Sequence, residues 1–169
     1  MSAFLMVDYK LPEAIQQLHQ QIDPEDLYVE DNPQSSLTYG LETEPHVTVA
    51  PCLRNNTNLE SVKRFLRPLK EYGLELTGLT VFENRYFDVL VCTVKRCAAL
   101  FETNAEISEY FILRNRYEFN PHVTVAFLKK GRGQKYATLH LPEGVVLEPK
   151  CFSYSHSEWN KQVKEEFGE

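Results

Sequence analysis

One hexapeptide occurs twice in this chain. Residues 45–50 read Pro45-His46-Val47-Thr48-Val49-Ala50, and residues 121–126 read Pro121-His122-Val123-Thr124-Val125-Ala126. The copies fall in different halves of a 169-residue chain. Two copies cannot build a solenoid, which needs at least three. They point instead to a single domain, residues 1–169, made of two similar lobes that share a core and face each other.

In a strand, side chains alternate between faces. His46, Thr48 and Ala50 then share one face, with Val47 and Val49 on the other. The second copy sorts in the same way, with His122, Thr124 and Ala126 against Val123 and Val125. The valines suit a core beneath helices, and alanine leaves room on the histidine face. Packing alone can repeat an apolar pattern. It has no use for a His and a Thr on one face, twice.

The flanking segments repeat as well. Helices are expected from Pro12 to Ile22, with Ile15, Leu18 and Ile22 inward, and from a capping box at Thr57 and Glu60. The second helix carries Leu59, Val62, Phe65, Leu66 and Leu69, kinks or stops at Pro68, and ends at Gly73. A third helix is expected over about 96–111, with Leu100, Ile107 and Phe111 at helical spacing. Strands are expected over Ala3–Tyr9, Tyr86–Val94, Tyr136–Leu141 and Val145–Tyr154, and as two short stretches on either side of Gly78. Asp31–Tyr39 and Lys129–Lys135 look like surface loops. The pattern is α+β, one set of elements per half.

Composition limits what such a chain can hold. It is 43% hydrophobic and 25% charged, as ordinary globular proteins are. Its formal net charge of −6 argues against gripping duplex nucleic acid through phosphates. A small anionic substrate in one local pocket stays compatible. No apolar run nears the roughly 18 residues of a membrane span, and the start lacks a signal peptide's layout, so a cytoplasmic protein is expected. The four cysteines (Cys52, Cys92, Cys97, Cys151) show no CxxC spacing, and read as reduced, mostly buried thiols. No metal site and no cofactor are expected.

Two histidines on opposite sides of a phosphate suit in-line displacement. One takes a proton from the attacking hydroxyl or water, and the other gives one to the leaving oxygen. Each threonine hydroxyl can donate to a non-bridging oxygen as charge builds in the transition state. The near symmetry leaves open which histidine is the base.

With an apolar residue between His and Thr and strands on both sides, the paired H-x-T motifs resemble those of the 2H phosphoesterase superfamily. The resemblance covers nearly the whole chain. It implies two antiparallel sheets around a central groove, helices outside, and metal-independent chemistry on nucleotide phosphodiesters, often 2′,3′-cyclic phosphates or 2′-5′ bonds. His46 and His122 match the catalytic pair, and Thr48 and Thr124 the phosphate-binding pair. Gly40-Leu41-Glu42-Thr43-Glu44 and the run Phe127-Leu128-Lys129-Lys130-Gly131 to Tyr136 are similar to phage-encoded members. Some of those are anti-CBASS nucleases that degrade cyclic oligonucleotide immune signals, which would place the protein in a host cytoplasm. The expected partner is therefore a small nucleotide or cyclic oligonucleotide. An RNA-end phosphodiesterase and a module that sequesters a nucleotide without cleaving it are the alternatives. Oligomeric state stays open.

Stacking surfaces for bases are sought among the aromatics. Trp159 stands in a polar run near the end, Tyr9 closes the first strand, and Phe82 precedes the Tyr86–Val94 strand. Tyr136 follows the basic loop and is within reach of a phosphate. Lys129, Lys130, Arg132 and Lys135 form the densest positive patch, which Gly131 and Gly133 would make mobile. His19, on the polar side of its helix, His140 and His156 lack the repeated context and read as non-catalytic.

Overall fold

The computed structural model describes residues 2–30, 39–54, 58–111, 118–155, 163–165 and 167. Eight strands and three α-helices are described. The strands are β1 (Ser2–Tyr9), β2 (His46–Arg54), β3 (Leu74–Glu83), β4 (Phe87–Val94), β5 (His122–Lys129), β6 (Val146–Leu147), β7 (Pro149–Ser155) and β8 (Val163–Glu165). The helices are α1 (Glu13–Gln20), α2 (Leu59–Leu66) and α3 (Ala98–Tyr110). They form two four-stranded antiparallel sheets, ordered β2-β1-β7-β8 and β5-β4-β3-β6. The α+β reading with two antiparallel sheets therefore holds.

Each copy of the hexapeptide opens an edge strand. β2 pairs with β1, and β5 pairs with β4. The two ladders share a fault. Leu5 faces Ala50 and Met6 faces Thr48, so Val49 is an extra residue. Leu90 faces Ala126 and Val91 faces Thr124, so Val125 is an extra residue in the same place. Cross-strand partners share a face, and neighbours along a strand do not. Ala50 therefore lies on the opposite face from Thr48, and Ala126 on the opposite face from Thr124. Both alanines are fully buried. They are core residues, and the expectation that they leave room beside the histidines is corrected by the bulge.

The carbonyls of both bulge residues are taken by side chains from the other half. Asn104 of α3 donates Nδ2–H to Val49 O at 2.7 Å. His19 of α1 stands 2.9 Å from Val125 O through Nε2. A carbonyl only accepts, so Nε2 carries the proton. His19 is thus half-buried against β5 and not on a polar face. The helices are exchanged: α1, from the first half, packs on β5, and α3, from the second, packs on β2. Val47, Val49, Val123 and Val125 are fully buried with Ile15, Leu18 and Ile107 in one core that takes in both sheets.

Two crossings stitch the sheets together. Before β2, Gly40 O accepts from Phe127 N at 2.8 Å and Glu42 N donates to Val125 O at 2.9 Å, along the free edge of β5. Three residues later Pro45 O accepts from Tyr9 N of β1 at 2.9 Å. The second crossing is shorter still. Val146 and Leu147 pair with β3, and Pro149 already pairs with Tyr9. The expected single strand over 145–154 is therefore split between the sheets.

Other expectations need adjustment. Asn58, not Thr57, is the N-cap of α2, accepting from Glu60 N at 3.0 Å, and Thr57 lies outside the described residues. Pro68 does end α2, which passes into a 3₁₀ turn over Arg67–Glu71. Gly73 is needed for close approach: a Cβ there would stand 2.5 Å from Val146 Cγ1. Leu74–Glu83 is one strand with an irregularity between Leu76 and Gly78. The expected strand over 136–141 is absent; Gln134–Tyr136 is a 3₁₀ turn. Cys92 and Cys151 are buried and Cys97 half-buried, and burial pushes the Cys92 thiol up to about 12. Cys52's side chain lies outside the described ones. No described helix is long and apolar enough to cross a membrane.

Burial lowers the pKa of His19 from its ordinary 6.5, against smaller raising effects from Val125 and Glu42. Neutral His19 therefore contributes its stability in full above pH 6.5, and the contribution fades as the pH falls through the lowered value. The urea midpoint of the native chain should drop between pH 7.5 and pH 5.5 by more than that of His19→Gln, whose amide keeps a donor but does not titrate. Equal drops in the two chains would remove His19 as the cause.

Candidate active site

His46 and His122 open their strands in the same local geometry. His46 Nδ1 lies 3.0 Å from Glu44 O, and His122 Nδ1 lies 2.9 Å from Asn120 O. In each case the partner is the carbonyl two residues back. Since a carbonyl cannot donate, Nδ1 holds a proton in both rings, and Nε2 is the nitrogen left to gain or lose one. Both rings and both threonines, Thr48 and Thr124, are half-exposed, whereas the alternating valines have no exposure. The histidine and threonine face of each edge strand is therefore open.

The first crossing links the edge of β5 to the start of β2. Glu42 is bonded level with Val125 and runs antiparallel to β5. β2 and β5 are in contact. Each imidazole and its hydroxyl are carried on an edge strand pinned from behind by the opposite half's helix.

Their surroundings differ. His46 pairs across the strand with Asp8, which is 3% exposed. His122 pairs with Thr93. The Phe82 ring meets His122 edge to face, with centroids 4.8 Å apart. The structure places Phe82 beside the second motif, half-exposed.

A family model described as the 2′-5′ RNA ligase superfamily matches residues 11–154. The chain belongs to that superfamily. The match spans both H-x-T motifs and agrees with the 2H phosphoesterase resemblance. No curated protein sequence matches the chain. Among solved structures the fold is similar to that of Usb1 from Kluyveromyces marxianus. The likeness has a TM-score of 0.55 and 15% identity over 90% of this chain and 92% of that one. The same protein with uridine monophosphate gives a TM-score of 0.59 and 14% identity, over 96% and 95% of the two chains.

The remaining expected site residues fare differently. Tyr9 is 3% exposed, and burial pushes its phenol well above the ordinary range, so its ring is core and offers no stacking face. Tyr136 does not reach toward a phosphate. Its buried hydroxyl donates to Asp26 and accepts from Asp23 N at 3.0 Å. Trp159 lies outside the described residues, as does His156.

The basic loop is fastened by two buried aspartates. Asp88 Oδ2 accepts from Gly131 N and Gly133 N, each at 3.0 Å, and Lys130 Nζ stands 3.6 Å from Oδ1. Asp26 takes Lys135 Nζ at 2.6 Å and Arg132 at 3.2 Å. The hydrogen bond from Lys135, then that from Tyr136, holds Asp26 below the usual carboxylate range. Two carboxylates offset part of the patch from within, and the glycines serve a fastened turn in place of a mobile one.

Sequence reasoning passed over the aromatic side of this face. By register, Phe82, Phe87 and Phe127 lie on the same sheet face as His122 and Thr124. Tyr28 and Tyr39 join Phe87 with centroids 5.0 Å and 5.3 Å away, and Tyr39 meets Phe127 at 5.3 Å. All are half-exposed. The signal available in sequence was Phe127, an odd number of positions after His122; the bulge at Val125 turns it onto the histidine face.

Gly133 has no room for a side chain, since a Cβ would stand 2.9 Å from both Asp88 Cβ and Val81 Cγ1. Gly133→Ala should cost about 1–3 kcal/mol, the range of an overpacked interior, measured by urea denaturation at pH 7. An unchanged midpoint would show that the turn yields freely.

Proposed function

We propose that the chain is a metal-independent phosphodiesterase acting on a small nucleotide phosphodiester. The observation that carries this reading is the matched pair of histidines, each with Nδ1 tied to the carbonyl two residues back and Nε2 left to exchange a proton. Catalysis by two such groups needs one to accept and one to donate in the same step. Thr48 and Thr124, on the same open faces, supply hydroxyl donors for the non-bridging oxygens. These are the site residues proposed: His46 and His122 for proton transfer, Thr48 and Thr124 for phosphate.

If a 2′-hydroxyl of the substrate attacks, the product ends in a 2′,3′-cyclic phosphate; if water attacks, it ends in a monoester. The half-exposed rings of Phe82, Phe87, Phe127, Tyr28 and Tyr39 on the His122 face offer flat apolar surfaces for bases. The superfamily's name and the uridine monophosphate held by the Usb1 neighbour favour an RNA end as substrate. The cyclic-oligonucleotide substrate drawn from the phage-like stretches finds no such support, and the substrate panel keeps it as a competitor.

The panel comprises 2′,3′-cyclic nucleotide ends, 2′-5′ oligoadenylate, 3′-uridylated RNA, and cyclic di- and trinucleotides, with products separated by chromatography. Cleavage of at least one is expected, undiminished by EDTA. His46→Ala and His122→Ala should each lower the rate by about 10²–10⁴-fold, the usual worth of a positioned acid or base, with the fold retained. Full activity in either variant would end this mechanism. Quantitative recovery of every substrate together with tight binding of one would make the protein a sequestering module.

A further inference from the structure

The two halves match in their strands, bulges and histidine tethers, and they differ at one position that bears on proton transfer. Directly across the ladder from His46 stands Asp8; across from His122 stands Thr93. Cross-strand partners share a face, with Cβ atoms about 4.5–5.5 Å apart. A carboxylate therefore lies beside one imidazole and a hydroxyl beside the other.

Asp8 is built into its place. It is 3% exposed, and Ser153 Oγ donates to its Oδ1 at 2.9 Å. The Cys151 thiol donates to Oδ2 at 3.8 Å. A hydrogen donor on each oxygen is the bonding pattern of an ionised carboxylate, which only accepts. Both donors come from β7, on the far side of β1 from His46, so they orient the carboxylate without occupying the imidazole. Thr93 spends its hydroxyl on Thr77, at 2.8 Å between the two Oγ1 atoms.

Resting on the phosphodiesterase reading, we propose that Asp8 is a positioning residue that keeps His46 protonated, making His46 the proton donor to the leaving oxygen and His122 the acceptor from the attacking group. An opposite charge within about 4–6 Å favours the charged form of a histidine, and a buried carboxylate is screened less than a surface one. In the step itself, His122 Nε2 takes the proton of the attacking hydroxyl or water as its oxygen bonds to phosphorus. The bond from phosphorus to the leaving oxygen breaks, and His46 gives that oxygen its Nε2 proton. The step leaves His122 charged and His46 neutral, and exchange with water resets both.

Other charged groups gather around Asp8. A cavity of about 220 Å³ on this side is lined by Asp8, Lys10, Glu44 and Lys150 among others. Lys10 is paired with Glu148 at 3.0 Å. Glu42 Oε1 accepts from Glu44 N at 3.0 Å. From the other sheet, β5 presents His122. Asp8 differs from these in being buried and in direct register with the ring.

The test is a histidine NMR titration of the full-length chain with ¹⁵N-labelled imidazoles, together with a pH–rate profile on a 2′,3′-cyclic mononucleotide. Asp8→Asn should lower the midpoint at which His46 loses its Nε2 proton by about one pH unit or more. The alkaline limb of the rate profile should move down with it, while the acidic limb stays. An unmoved His46 midpoint would overturn the proposal. A moved midpoint with a shift of the acidic limb alone would overturn the donor assignment, since His46 would then be the base. If Asp8→Asn does not fold, Thr93→Asp tests the same coupling on the other strand. It should raise the His122 midpoint, and no movement there would overturn it. The titration reads the coupling without any turnover, so failure of the phosphodiesterase reading would show separately, as an inactive wild-type chain with an intact His46 shift.

Discussion

The stretch from Gly40 to His46 holds the two halves of this protein in register. At Glu42 the backbone is bonded to β5 of one sheet, and at Pro45 it is bonded to β1 of the other. Three peptide units separate the two attachments. A chain that short spans only about 10 Å when extended, so the sheets cannot drift apart there without breaking backbone hydrogen bonds. The return crossing at Glu148 has even less slack, because Leu147 and Pro149 already belong to different sheets. These two tethers constrain how the strands that carry the H-x-T motifs sit relative to each other.

The bulges at Val49 and Val125 perform a second task. Each adds a residue to an edge strand immediately after the His and Thr. The extra residue turns Ala50 and Ala126 into the core, and the bulge carbonyls are bonded by Asn104 and His19 from the opposite halves. Bulges are used in this way beside functional sites, where they aim side chains and end a regular ladder. Each helix therefore secures the strand that carries the other half's histidine.

Charge is distributed by burial in this acidic chain. Asp26 and Asp88, both buried, pair with Lys130, Arg132 and Lys135 and offset part of the basic loop's charge. Asp8 is the third aspartate buried in a strand or turn of this core, and the one whose register puts it beside a histidine.

The amino-acid sequence by itself determined the repeat, the valine and histidine faces of its strands, the three helices, and the four residues proposed for chemistry. Those are local matters: period-two alternation, helical spacing and a six-residue identity do not depend on what the chain meets elsewhere. Tertiary structure decided the rest. In the sequence Asp8 is one acidic residue in an apolar strand, and it gains a histidine as ladder partner only when β2 pairs beside it. Tyr9 and Tyr136 looked like ligand contacts until the core closed over one and Asp26 claimed the other. The alanines changed face because one added residue shifts every later side chain, and nothing within the hexapeptide announces that shift. Pairing register and burial are set by partners distant in the chain, so they come into being only when the two halves fold onto each other.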